Sequence, residues 1–172
     1  MNKYLLGFDE VNRLAEKFSV ETELEELFEI LYTVMYDAYI RGYEPEEHKV
    51  EPPREDLIEL LIFFKYDGKD PFDLLEEAYK DKDTVRIKTI FDNEYHRMFN
   101  AGAYDYGKEH CDTKKWVTMN DIKVRDTHYY LEGIEVPVDA EFITYDGDAA
   151  LYPGGFSNAS NNVNCRCVLE YK

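Results

Sequence analysis

TVRIKTIFDNEYHRMFNAGAYDYGKEHCDTKKWVT, residues 84–118, changes its periodicity part-way along. From Thr84 to about Lys108, the apolar positions Ile87, Ile90, Phe91, Tyr95, Met98 and Phe99 recur every three or four residues. That is the spacing of one buried helical stripe. Gly102 falls inside the pattern, where glycine costs about 1 kcal/mol relative to alanine, so a close helix contact or a helix end is expected there. Beyond Cys111 the pattern becomes extended: in KKWVTM, Trp116, Val117 and Thr118 favour a pleated strand. The expected fold class is therefore α+β, with a mainly helical N-terminal two thirds followed by a small antiparallel β-containing unit.

Upstream, DEVNRLAEKF reads as a short helix with Asp9 as N-cap. Ser19 opens a longer helix with Glu21 and Glu23 in its first turn, near the positive end of the dipole. Its stripe is Leu24, Leu27, Phe28, Leu31, Val34, Met35, Ala38 and Tyr39, and Gly42 is expected to close it. EPEEHKVEPPRED is a polar, proline-rich connection, EDLIELLIFFKY a buried helix, and Asp70-Pro71 the cap of the short helix PFDLLEEAYK. Downstream, Asn120-Asp121 is a turn, followed by a short helical turn ending at Gly133. GIEVPV and EFITY are β-like, DGDAALYPGGFSNASNN is a long loop, and CRCVLEY alternates like a strand. Two regions result: an acidic helical one over residues 1–83, and a long helix plus small β unit over residues 84–172.

The formal net charge is −17, and residues 1–60 alone carry 16 acids against 6 bases. A surface this acidic repels phosphate backbones, so direct nucleic-acid binding is not expected. The charge serves solubility, or docks on a basic partner. No apolar run approaches the roughly 20 residues that span a bilayer, so no membrane role is expected. The N-terminus lacks the apolar core and cleavage site of a signal peptide. Three cysteines, an odd number, argue against a disulfide framework and for a reducing cytosol.

Four features cluster in the last sixty residues: Trp116, the Arg125-Asp126-x-His128 step, the turn from Pro153 to Gly155, and Asn164-Cys165-Arg166-Cys167. The stretch KKWVTMNDIKVRDTHYYLEGIEVPVDAEF, then LYPGGFSNASNNVNCRCVLEY, resembles the Mu F-like minor head protein domain of tailed bacteriophages and prophages. The shared pattern runs from K-x-W-x-T to R-D-x-H-x-x-L-x-G, then a Pro-Gly loop, then N-C-R-C. EYHRMFNAGAYDYGK matches the helix that precedes the tryptophan strand. The resemblance covers residues 84–172. It implies a minor structural protein of the phage head, portal or capsid proteins as partners, and a part in head morphogenesis and DNA delivery. It also implies a location in the host bacterial cytoplasm during assembly and then in the virion head. A small acidic phage effector that inhibits a host nucleic-acid-binding protein is the alternative.

The motif residues carry several chemistries. His128 could be a general base oriented by Asp126, but on a helical turn it shares a face with Arg125 rather than Asp126; hydrogen bonds from His128 and Arg125 to loop carbonyls are the structural reading. Cys165 and Cys167 on a strand point to one face. Their Cα atoms, nearly 7 Å apart when extended, disfavour a mutual bridge. Buried sulfur packing is one role for them. Zinc is another, with further ligands from His110, Cys111 and His128, although C-x-C lacks the usual knuckle spacing. A Cys165 nucleophile with His128 and Arg125 would make a hydrolase or nuclease, but Arg166 faces away from both sulfurs on a regular strand. Arg166 and Arg125 are expected to pair with acids or loop carbonyls, Asn164 to close the loop, and Trp116 to plug the β core. The expectation is a structural motif of Trp116, Arg125, Asp126, His128, Gly133, Pro153, Asn164, Cys165, Arg166 and Cys167, with no catalytic residue and no cofactor; if zinc binds, Cys111, His128, Cys165 and Cys167 hold it.

Overall fold

The computed structural model describes residues 23–43 and 64–172. The short helix expected from Asp9, the start of the longer one from Ser19 to Thr22, and most of EDLIELLIFFKY lie outside the described residues. Three helices form the first part: α1 (Leu24–Tyr43), α2 (Pro71–Lys80) and α3 (Thr84–His110). Asp70 caps α2 as expected, its carboxylate accepting from the Phe72 and Asp73 amides while Asp73 reaches back to the Asp70 amide. Asp83 caps α3 by accepting from the Arg86 amide. The stripe residues meet in one core, in which Leu31, Met35, Ala38, Leu75, Phe91 and Met98 are fully enclosed. Burial of such side chains is worth about 1.5–3 kcal/mol each and holds α1 and α2 on α3.

Gly42 stands one residue before the described end of α1 at Tyr43. It lies against the backbone of α3, as Gly102 does against that of α1, so both glycines serve a close helix crossing. The helical reading of EDLIELLIFFKY fails at its described end. Tyr66 bridges to Lys69 around a tight turn in which Asp67 and Gly68 take positive φ.

After α3 come β1 (Thr113–Val117), α4 (Asp126–Tyr129), β2 (Glu135–Pro137), β3 (Phe142–Ile143), β4 (Ala149–Ala150), α5 (Ala159–Asn162) and β5 (Val168–Tyr171). β1 is central in an antiparallel sheet of order β2-β1-β5, with Trp116 opposite Leu169. β3 and β4 form a separate hairpin, Phe142 opposite Ala150. The α+β class is therefore as expected. The loop expected after Tyr145 holds more structure than foreseen, because β4 and α5 lie inside it. Cys165 and Cys167 precede the last strand, which begins only at Val168, so the strand expected over CRCVLEY starts late. A second core fills this unit: Trp116, Leu131, Phe142, Ala150, Phe156, Cys165 and Cys167. It joins the helices where Gly107 lies under the Tyr171 ring and where Gly154, at positive φ, lies on the Cα of Arg97.

Candidate functional site

Trp116 comes first, because everything in the β unit packs around it. It is fully enclosed, its ring 5.0 Å from Phe142, 5.4 Å from His128 and 5.8 Å from Phe156. α4 carries His128 inward on a single helical turn, while Asp126 on the same turn stays exposed. Asp126 therefore does not orient the imidazole. Nor does His128 bond a loop carbonyl, as expected: its Nδ1 faces the sulfurs of Cys165 at 3.6 Å and Cys167 at 3.5 Å. Its Nε2 is buried with no hydrogen-bond partner among the described residues.

The two cysteines, two positions apart in the segment that leads into β5, both bring their sulfurs to one nitrogen. The flanking backbone is fixed from three directions. The Cys165 amide donates to the Asn162 carbonyl at 2.9 Å. His96 Nε2 donates to the Cys167 carbonyl at 2.8 Å. Arg166, on the opposite side, grips Asp121 with both guanidinium nitrogens at 2.7 and 2.9 Å. That grip, with the Lys123 amide, holds the Asp121 carboxyl down at about 2. Burial works against ionising Cys165. The Cys167 thiol and His128 nevertheless donate to it and hold its thiol well below the ordinary range, with His96 and His128 adding to the effect. Cys167, as donor to that sulfur and buried, is pushed up. All three cysteines are free thiols.

Cys111 takes no part in this cluster: His128, Cys165 and Cys167 alone bring ligand atoms within 4.8 Å of one another among the described residues. The zinc set expected with Cys111 is corrected accordingly, since Cys111 caps the far end of α3 with its amide on the Gly107 carbonyl. His110 bonds the Tyr106 carbonyl one turn back.

The loop before the cysteines is tied to α4 and to itself. Arg125 donates to the carbonyls of Ser160 and Val163, as expected of a planar fork. Asn162 accepts from the Phe156 amide and donates to the Phe156 and Asn158 carbonyls. Asn161 accepts from the Thr127 hydroxyl and donates to Asp148 at 3.0 Å. Asp148 also accepts from the amides of Ser157 and Asn158 and from the Ser157 hydroxyl. Burial alone would raise its carboxyl, but these donors, Asn161 and Ser157 foremost, hold it below the ordinary value. Asn164 closes the loop in the left-handed region, its amide donating to Asn93 Oδ1. Gly133 takes positive φ and donates to the Trp116 carbonyl, and Pro153 is buried beside Gly154.

Several buried polar residues were not singled out from the sequence. Glu94 and Arg97 form an ion pair at 2.7 Å, with side chains 1% and 0% exposed, and Tyr66 donates to Glu94 at 2.6 Å. The i, i+3 spacing on α3 was a legible hint of the pair, but not of its burial. Lys114 is also enclosed; its Nζ donates to the Leu151 carbonyl at 2.7 Å and lies over the Tyr104 ring.

Residues 69–170 match the family model described as Phage Mu protein F like protein. The chain belongs to the Phage Mu protein F-like family. The match begins before α2 and runs through α3 and the whole β unit, so every motif residue from Trp116 to Cys167 lies inside it. A stretch of 55 residues is 50% identical to the NAD(+)--arginine ADP-ribosyltransferase EFV of Enterococcus faecalis (strain ATCC 700802 / V583). That stretch covers 32% of this chain and 11% of the relative, so the Mu F-like chain spans only a small part of it. No solved structure matches the chain.

Proposed function

We propose that this Mu F-like protein is a minor component of a phage or prophage head that sits at the portal, acts in assembly and assists DNA delivery. The family match over residues 69–170 is the observation that carries this reading. The disposition of the motif supports it. Arg125 and Arg166 are engaged by loop carbonyls and by Asp121, Asp126 stands away from His128, and Trp116 and His128 are enclosed. Side chains so occupied build a rigid module rather than receive a substrate. The acidic N-terminal part is the natural contact for portal or capsid subunits, which would meet it through basic residues. No helix among the described residues is long and apolar enough to cross a membrane. The activity in the name of the enterococcal relative belongs to a protein of which the matched stretch is 11%, and it is not carried over to this chain.

The test is co-purification: tagged protein expressed during infection or prophage induction should sediment with portal-bearing proheads and not with portal-less shells. Free protein alone, in cells making normal heads, overturns the portal assignment.

A further inference from the structure

We infer that His128, Cys165 and Cys167 bind a zinc ion that pins the closing segment of the chain to α4. This goes beyond the head-protein reading and does not depend on it.

Geometry is the first argument. In either tautomer an imidazole Nδ1 has one good hydrogen bond to make, as donor to one sulfur or as acceptor from one thiol. Yet both sulfurs stand almost equally close, at 3.6 and 3.5 Å. Donor atoms that converge mutually, rather than pairing, are arranged around a common centre. A tetrahedral Zn2+ with Zn–S of about 2.3 Å and Zn–N of about 2.0–2.1 Å sets sulfur and nitrogen about 3.5 Å apart. The three atoms of this cluster lie within 4.8 Å of one another, the size of one coordination sphere.

Charge is the second. Cys165 and Cys167 are only 6% and 4% exposed, and His128 1%. Ionising both thiols there without a cation would strand two negative charges in an apolar core. Two thiolates and one Zn2+ sum to zero, so the loaded core is neutral. Thiolate and imidazole donors are the set that zinc prefers over magnesium or calcium.

The third argument is support. Metal ligands work when their backbone is held, and here Cys165 is tied to Asn162, Cys167 to His96 and the preceding loop to Arg125. Three protein donors leave the fourth position to a water molecule.

The experiment uses the full-length chain, purified under reducing conditions without chelator, its metal content measured by inductively coupled plasma mass spectrometry. About one zinc per chain is expected. The protein stripped and reloaded with Co2+ should show intense tetrahedral d–d bands and thiolate-to-cobalt charge transfer. Cys165→Ser and Cys167→Ser should each lower zinc occupancy at least about tenfold, and Cys111→Ser should leave it unchanged. Should the serine variants fail to fold, the cobalt spectrum of the native chain decides by itself. Folded native protein that retains no zinc and gives only octahedral cobalt bands overturns the proposal, as does a Cys111→Ser variant that loses the metal.

Discussion

Gly42 and Gly102 face each other's helices so closely that neither tolerates a β-carbon: one on Gly42 would stand 2.0 Å from the Phe99 carbonyl oxygen, one on Gly102 2.1 Å from that of Tyr39. Contact at backbone distance lets Tyr39 reach Asp105 and Tyr43 reach Glu109 across the crossing, at 2.6 and 2.9 Å.

Helix propensity and packing therefore disagree in sign at Gly102. Alanine in a free helix would gain about 1 kcal/mol. At the crossing it must push α1 and α3 apart, and overpacking of this kind costs about 1–3 kcal/mol. Gly102→Ala is expected to lower the urea midpoint; a raised midpoint would show that the helices are not in contact there.

The Glu94–Arg97 pair, at 1% and 0% side-chain exposure, should resist loss of one partner far more than loss of both. Glu94→Gln leaves a guanidinium buried without its carboxylate, and such changes cost about 3–5 kcal/mol. The double variant Glu94→Leu, Arg97→Met removes both charges and should recover much of that loss. Chemical denaturation of the native chain and the two variants measures it, and a double variant no more stable than Glu94→Gln would contradict a buried pair.

Lys114 sets a pH dependence with a definite sign. Burial lowers its ammonium from 10.5 to about 8, against the opposing pull of Asp139 and Glu141. Between those values the unfolded chain holds a proton that the folded chain has released, so stability contributed at this site rises with pH across that window. In Lys114→Met the rise is absent, and the stability difference between the two proteins, followed by urea denaturation from about pH 7.5 to about pH 10, should change with pH. A constant difference would place the amine in water.

Asp148 gathers the loop that precedes the cysteines, accepting from Ser157, Asn158 and Asn161. Asp148→Asn presents an amide nitrogen to these donors and should cost about 1–3 kcal/mol. Because its carboxyl is held below the ordinary 3.8, the native carboxylate contributes stability above that value and loses it as pH falls further. Thermal unfolding of both proteins should therefore converge in acid; a gap that persists at the lowest pH would assign the effect to shape instead of charge.

Much of this was legible beforehand for physical reasons that act locally. The stripe from Ile87 to Met98 announces α3 because burial on one side imposes a spacing of three and four residues. Asp70-Pro71 announces the start of α2 because capping is chemistry between neighbours. Arg166 and Arg125 found acid and carbonyl partners as their fork geometry demands. Less legible was the second role of Gly42, which stands at the end of α1 as a glycine after a stripe commonly does but also meets another helix. β4 and α5 were hidden because two-residue strands and one-turn helices are too short to show periodicity.

By itself, then, the sequence determined the α+β class, the tryptophan strand and the ordered motif of the Mu F-like family, and from strand alternation it led to the expectation that the two sulfurs share a direction. Only the tertiary structure decided what those sulfurs face. Cys111, His110 and His128 are equivalent candidates on paper, separated from Cys165 by tens of residues. The chain path brings His128 Nδ1 within 3.6 Å and leaves Cys111 at the end of α3. Which of several distant residues closes a site depends on how packed elements converge, and local periodicity carries no record of that.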